Sequence, residues 1–138
     1  MAAYRLDISP DIAEIPRLLD WVEERCVDCG VQGETPSKLA LALDEAVANV
    51  VNHAFAGVPT PPRIAVVLTI DGDSVAAEII DNGRPFDPTA VPEPDCASPL
   101  ESRDVGGLGI HLIRRMMDRV EYRRVGGENR LRLEKARA

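Results

Sequence analysis

Glu45, Asn49 and His53 lie four residues apart in the run Leu43-Asp44-Glu45-Ala46-Val47-Ala48-Asn49-Val50-Val51-Asn52-His53-Ala54. On a helix that spacing stacks all three on one face. Asn is a poor interior helix residue, because its amide competes for backbone partners. A carboxylate and an amide carbonyl one turn apart can act on one magnesium ion and its waters, since Mg²⁺ takes oxygen ligands. The plainer reading is a solvated stripe of an amphipathic helix, and for Glu and His alone it would win. Asn49 in line with Glu45 moves the balance toward chemistry.

A second segment reads Ile79-Ile80-Asp81-Asn82-Gly83-Arg84-Pro85-Phe86. Strand alternation places Asp81 on the same side as Val75, Ala77 and Ile79, the apolar side. A buried carboxylate needs a hydrogen-bond partner, and an adenine amino group would supply one. Gly83 lets a flat ligand approach the backbone closely. An Asp-Asn-Gly turn that merely closes a strand explains the same residues equally well.

The third segment is Gly106-Gly107-Leu108-Gly109-Ile110-His111. Glycines at a helix start leave N–H groups free to cradle phosphate oxygens, with the helix dipole favouring the anion. No Gly-Lys-Ser/Thr follows, so this is not a P-loop. A Pro-rich stretch rather than a strand precedes it, so it is not the dinucleotide fingerprint either.

The elements that must hold these residues follow from periodicity. Tyr4–Ser9 alternates as a short strand, and Ile12, Ile15, Leu18, Leu19, Val22 and Cys26 predict a helix over about 10–29. Thr35-Pro36 reads as an N-cap and first-turn proline of a second helix that reaches about Phe55. Ile64–Ile70 and Val75–Ile79 are strands joined by an Asp71-Gly72-Asp73 hairpin. Five prolines between Arg84 and Arg103 exclude regular structure and predict a loop. A third helix has Ile110, Ile113, Met116, Met117 and Val120 on its apolar face. Two last strands, Val120–Val125 and Asn129–Glu134, turn at Gly126-Gly127. This order makes an α/β (α+β) two-layer sandwich, with a mostly antiparallel sheet and helices on one face.

Composition bounds the rest. A chain of 138 residues suits one domain, 1–138, able to fold without staples. A net charge of −7 argues against neutralising nucleic-acid phosphates. The run Arg114, Arg115, Arg119, Arg123, Arg124 is read as a solvated face rather than a docking surface for an acidic partner. No stretch is apolar for long enough to span a membrane, and the first ten residues lack a signal-peptide layout, so a cytoplasmic protein is expected. Cys26, Cys29 and Cys96 are too few for a disulfide framework, and the lone Cys26-x-x-Cys29 reads as packing rather than a zinc or redox site.

Together the three segments are more specific than any one. Their order, helix Glu/Asn, strand-end Asp-x-Gly, loop, Gly-rich helix start, resembles the N, G1 and G2 boxes of the Bergerat-fold (GHKL, HATPase_c) ATPases, the superfamily of gyrase, histidine kinases and MutL. Within it, the small size, Glu45-Ala46-Val47-x-Asn49 and Gly107-Leu108-Gly109-Ile110 are similar to the anti-sigma-factor serine kinases, the SpoIIAB/RsbW group. The resemblance covers nearly the whole chain.

It implies a mixed, mostly antiparallel sheet and a protein serine/threonine kinase using ATP and Mg²⁺. Asn49 would coordinate Mg²⁺ and Glu45 would be the general base. Asp81 would receive the adenine amino group, and Gly83 would line the base pocket. Gly106, Gly107, Leu108, Gly109 and Ile110 would meet the phosphates, with Arg103 serving in place of a lid lysine. His53 sits where relatives often have a His, and residues of about 84–106 would form the ATP lid. Relatives often carry Gly-Thr near the adenine, where this chain has Glu128-Asn129. The implied substrate is a serine on a STAS-domain anti-anti-sigma protein. A sigma factor is the implied second partner, and a homodimer the implied assembly. A nucleotide-dependent binding regulator without kinase activity is the alternative.

Overall fold

A computed structural model describes residues 1–90 and 105–137, and of residues 105–108 only the backbone. Alternating inward side chains make β1 (Ala2–Ile8), whose Ile8 is buried. A 3₁₀ turn (Ile12–Glu14) leads into α1 (Ile15–Asp28), which turns Ile15, Leu18, Val22 and Cys26 to the core. Next come α2 (Thr35–Asn49), a π turn (Val50–Ala54) and the antiparallel pair β2 (Ile64–Ile70) and β3 (Ser74–Asp81). After the 3₁₀ turn Pro88–Ala90, the chain forms α3 (Val105–Met116), β4 (Arg119–Val125) and β5 (Glu128–Ala136).

The strands lie in the order β1-β2-β3-β5-β4. Every pairing is antiparallel, so the parallel component of a mixed sheet is absent among the described residues. One face of the sheet meets the helices. Leu18, Leu39, Leu43, Leu68, Ile79, Ile113 and Leu133 are fully buried between the layers. Each such side chain contributes about 1.5–3 kcal/mol by leaving water. The other face carries charge. Glu78 takes Arg130 at 2.7 Å and Arg123 at 3.7 Å, and Arg119 pairs with Glu121 at 2.7 Å. Much of the basic run is therefore paired within the chain.

Local differences from the sequence reading have physical causes. Thr35 does not cap α2 with its side chain; its hydroxyl is buried and donates to the Ala136 carbonyl at 3.1 Å, while Glu34 occupies the N-cap position. The 71–74 turn forms around a side chain, since Asp71 Oδ1 accepts from the Asp73 and Ser74 amides at 2.7 and 2.8 Å. Gly126 and Gly127 turn β4 into β5 at φ values of 57° and 79°, the left-handed pair that suits a tight hairpin. Cys26 is buried, and burial pushes its thiol up to about 11, which agrees with a packing role. Cys96 lies outside the described residues.

The entry to α1 carries a pH-dependent clasp. Glu14 accepts the Ser9 amide at 3.0 Å and Arg17 through both oxygens, at 2.9 and 3.0 Å. The guanidinium, then the amide, hold the Glu14 carboxyl down to about 2 from an ordinary 4.5. A depressed acid stabilises the fold above its unfolded value, and that contribution is lost as pH falls toward the folded one. Glu14→Gln is expected to lose less of its urea midpoint than the parent between about pH 5 and about pH 3. Parallel losses in the two proteins would contradict the clasp.

Candidate functional site

The second helix, the end of β3 and the start of α3 meet at one end of the sheet. α2 buries Ala42, Leu43, Ala46 and Val47 and leaves Glu45 and Asn49 half-buried on its flank. α3 crosses that flank at Gly109. A Cβ placed there would lie 3.2 Å from Glu45 Oε2 and 3.5 Å from Asn49 Nδ2. A side chain at this position would press on the polar pair, and Glu45 would have to give by a few tenths of an ångström; the turn before Gly109 is the first of α3, where helix N–H groups lack intrahelical partners. Gly106, Gly107 and Leu108 lie within that turn rather than ahead of it. Ile110 is fully buried in the core, so any ligand contact from it would come from the backbone. Arg103 and residues 91–104 of the expected lid lie outside the described residues.

His53 departs from the predicted row. α2 gives way to π winding after Asn49, and a π turn takes more residues than an α turn. Four residues on from Asn49 therefore no longer fall on the same line. The exposed His53 ring lies 6.2 Å from the Phe86 ring, and its carbonyl accepts Arg84 Nε at 3.1 Å.

Asp81, the last residue of β3, is 3% exposed. Its Oδ1 accepts the Gly83 amide and Asn129 Nδ2, each at 2.9 Å. Oδ2 takes neither. Burial raises the Asp81 carboxyl above its ordinary value, against the pull of those two donors and of Arg124, while Glu128 adds to the rise. Gly83 has a reason internal to the chain. A Cβ there would sit 2.5 Å from the Ala54 carbonyl oxygen, and the Arg84 amide donates to that same oxygen at 2.8 Å. The close neighbour at Gly83 is thus the π turn's own backbone.

A pocket joins these elements. Asn49, Asp81, Phe86, Pro88, Tyr122 and Asn129 are among its lining. Its free volume is about 20 Å³, room for about one water. Phe86 and Pro88 are among the side chains that fill it, and a purine ring would need more room than this. A larger cleft of about 550 Å³, lined by Arg5, Asp7, Glu14 and Arg17 among others, contains none of the predicted site residues.

Asn129 was not among the predicted site residues. Sequence showed only an Asn in the place of a familiar Gly-Thr; the β3–β5 register, which sets Asn129 directly across from Asp81, is a long-range fact. The polar residues also pass a test of fit for the implied ion. Beside Gly109, Glu45 Oε2 lies 3.2 Å and Asn49 Oδ1 4.0 Å from where a Cβ would stand, with Asn49 Nδ2 between them at 3.5 Å, so the oxygens are available and the Asn49 amide would turn its oxygen to an ion. No cluster of three or more His, Cys, Asp or Glu able to hold a metal occurs among the described residues. A magnesium ion that bridges phosphates needs only one or two protein oxygens.

Comparison with known proteins agrees with the fold. Residues 8–135 match the family model described as a histidine kinase-like ATPase domain. The serine/threonine-protein kinase BtrW of Bordetella bronchiseptica is 32% identical over 128 residues, covering 93% of this chain and 89% of that protein. The serine-protein kinase RsbW of Listeria monocytogenes is 31% identical over 122 residues, covering 85% of this chain and 75% of that protein. Among solved structures, the RsbU and RsbW domains of Rv1364c from Mycobacterium tuberculosis share the fold, with a TM-score of 0.69 at 16% identity. That match spans all of this chain and 34% of the other. The histidine kinase domain of Erythrobacter litoralis EL346 matches at a TM-score of 0.55 and 14% identity, over 94% of this chain and 62% of the other.

Proposed function

The chain belongs to the histidine kinase-like ATPase domain family, in the group of BtrW and RsbW, and on that premise we propose that it is an ATP-dependent serine/threonine protein kinase. Its substrate is a serine of a STAS-domain anti-anti-sigma protein, and it also sequesters a sigma factor. The observation that supports this reading is the approach of Gly109 to Glu45 and Asn49, a carboxylate and a carboxamide against the start of α3.

Phosphoryl transfer depends on positioning and on neutralising charge around the moving group. Asp81 receives the adenine amino group and Asn49 offers its carbonyl oxygen to Mg²⁺. The amides of Gly106 and Gly107 in the first turn of α3, and of Gly109 just after it, would meet the phosphates. Arg103 is assigned to the same phosphates. Bound magnesium neutralises charge on the phosphate oxygens. Glu45 takes the proton of the substrate serine hydroxyl as that oxygen forms its bond to the γ-phosphorus. The bond from phosphorus to the β–γ bridging oxygen breaks, and ADP leaves. His53 stands at the edge of the site, beside Phe86.

The same reading makes the protein a cytoplasmic homodimer of one domain, 1–138. Among the described residues, no helix is long and apolar enough to cross a membrane. The second reading, a nucleotide-dependent binding regulator that does not phosphorylate, is favoured less, because a pure binder has no use for a carboxylate at Glu45. Incubation with MgATP and a purified STAS-domain partner separates the two. Phosphoserine on the partner is the expected product. A stable complex with no phosphoserine would reject the kinase.

A further inference from the structure

We propose that Asn129 is the positioning residue of the base site, holding one oxygen of Asp81 and the 83–86 turn together so that the other Asp81 oxygen is presented to an exocyclic amino group. The proposal rests on the nucleotide-binding reading above and deepens it.

Asn129 is 4% exposed, yet its carboxamide makes five hydrogen bonds. Nδ2 donates to Asp81 Oδ1 at 2.9 Å and to the Arg84 carbonyl at 2.7 Å. Oδ1 accepts the Tyr122 hydroxyl at 2.5 Å, Arg124 Nη1 at 3.1 Å and the Phe86 amide at 3.3 Å. Both amide hydrogens are used, and the oxygen is fully engaged. The side chain therefore has one orientation, fixed from β4 by Tyr122 and Arg124 and from the 83–86 turn by Arg84 and Phe86.

Two consequences follow for Asp81. The carboxylate is oriented by directional donors, both on Oδ1, so Oδ2 is the oxygen left for a ligand. The turn that carries Phe86 beside the pocket is tied to the same amide, through the Arg84 carbonyl and the Phe86 N–H. Arg124 reinforces this, because the Nη1 that reaches Asn129 also donates to the Gly83 carbonyl at 2.7 Å. Arg124 and Glu128 are the charged side chains felt by Asp81, and they act in opposite directions. Asn129 is the first of the donors that oppose the effect of burial on this carboxylate, ahead of the Gly83 amide and Arg124. A hydroxyl in place of Asn129 could serve Asp81, but it could not also hold Arg84 and Phe86.

The test compares ATP with purine riboside triphosphate, which lacks the 6-amino group, by calorimetric titration of the full chain with Mg²⁺. The parent is expected to prefer ATP by about tenfold, the worth of a hydrogen bond to a charged group. Asp81→Ala should abolish the preference. In Asn129→Ala the preference should fall to about twofold or less, whatever loss of affinity the two ligands share. A merely structural Asn129 would weaken both ligands equally and leave their ratio at the parent value, and that result overturns the proposal. If Asn129→Ala does not fold, Asn129→Leu, close in size and without a donor, reads the same ratio. A value below the parent's supports positioning, and the parent's value rejects it. A parent with no preference, unaltered by Asp81→Ala, would instead remove the base-site reading beneath the proposal.

Discussion

Glu45→Gln is expected to bind MgATP within about twofold of the parent and to lose phosphoserine formation by about 10²- to 10⁴-fold, the range that a positioned general base supplies. The argument is geometric. Glu45 Oε2 is one of two polar neighbours at the space a Gly109 Cβ would fill, and the glutamine isostere keeps that packing. What it removes is the capacity to accept a proton. A single-turnover assay with a purified STAS-domain substrate, beside calorimetry, reads both quantities. Transfer at the parent rate would take the base assignment away from Glu45. Joint loss of binding and transfer would move Glu45 to the metal site.

Asn49→Ala carries the opposite signature. It removes an amide at the α2–α3 contact that would hold the ion on the phosphates. Affinity for ATP in the presence of Mg²⁺ should fall by about 10- to 100-fold, in line with the loss of one interaction to a charged group. Affinity measured with excess chelator should change far less. The difference between the two conditions is the informative quantity, since a general defect in folding would lower both. Equal MgATP affinity in variant and parent would contradict the assignment.

Much of this was legible in the sequence because it is local. The apolar rows of α1, α2 and α3, the two-residue glycine turn and the inward side of β3 follow from periodicity within single elements. Glu45, Asn49 and Gly109 come together because the helices holding them pack flank to flank, as the order of elements required. Features set by distant contacts were not legible. Thr35 is drawn to the carbonyl of Ala136, a hundred and one residues away, and so does not cap its own helix. The π turn that displaces His53 ends at Ala54, whose carbonyl takes the Arg84 amide. Asn129 acquires its place only through the pairing of β3 with β5. Gly83 illustrates the same limit. It reads as room for a ligand, while in the fold the protein's own backbone stands against it.

The narrowness of the pocket bears on how the site is used. Phe86 and Pro88 leave about 20 Å³ between the sheet and α2. The 83–86 turn beside it is tied to His53, Ala54 and Asn129 by hydrogen bonds, so its position and the shape of the pocket are set together.

Calorimetric titration of the full chain with ATP, with Mg²⁺ and again with the ion chelated, is the most direct measurement of whether these three segments form a nucleotide site. One saturable site per chain, weakened when the metal is withdrawn, is the predicted outcome. Absence of saturable binding in both conditions, from a chain shown to be folded, would contradict it.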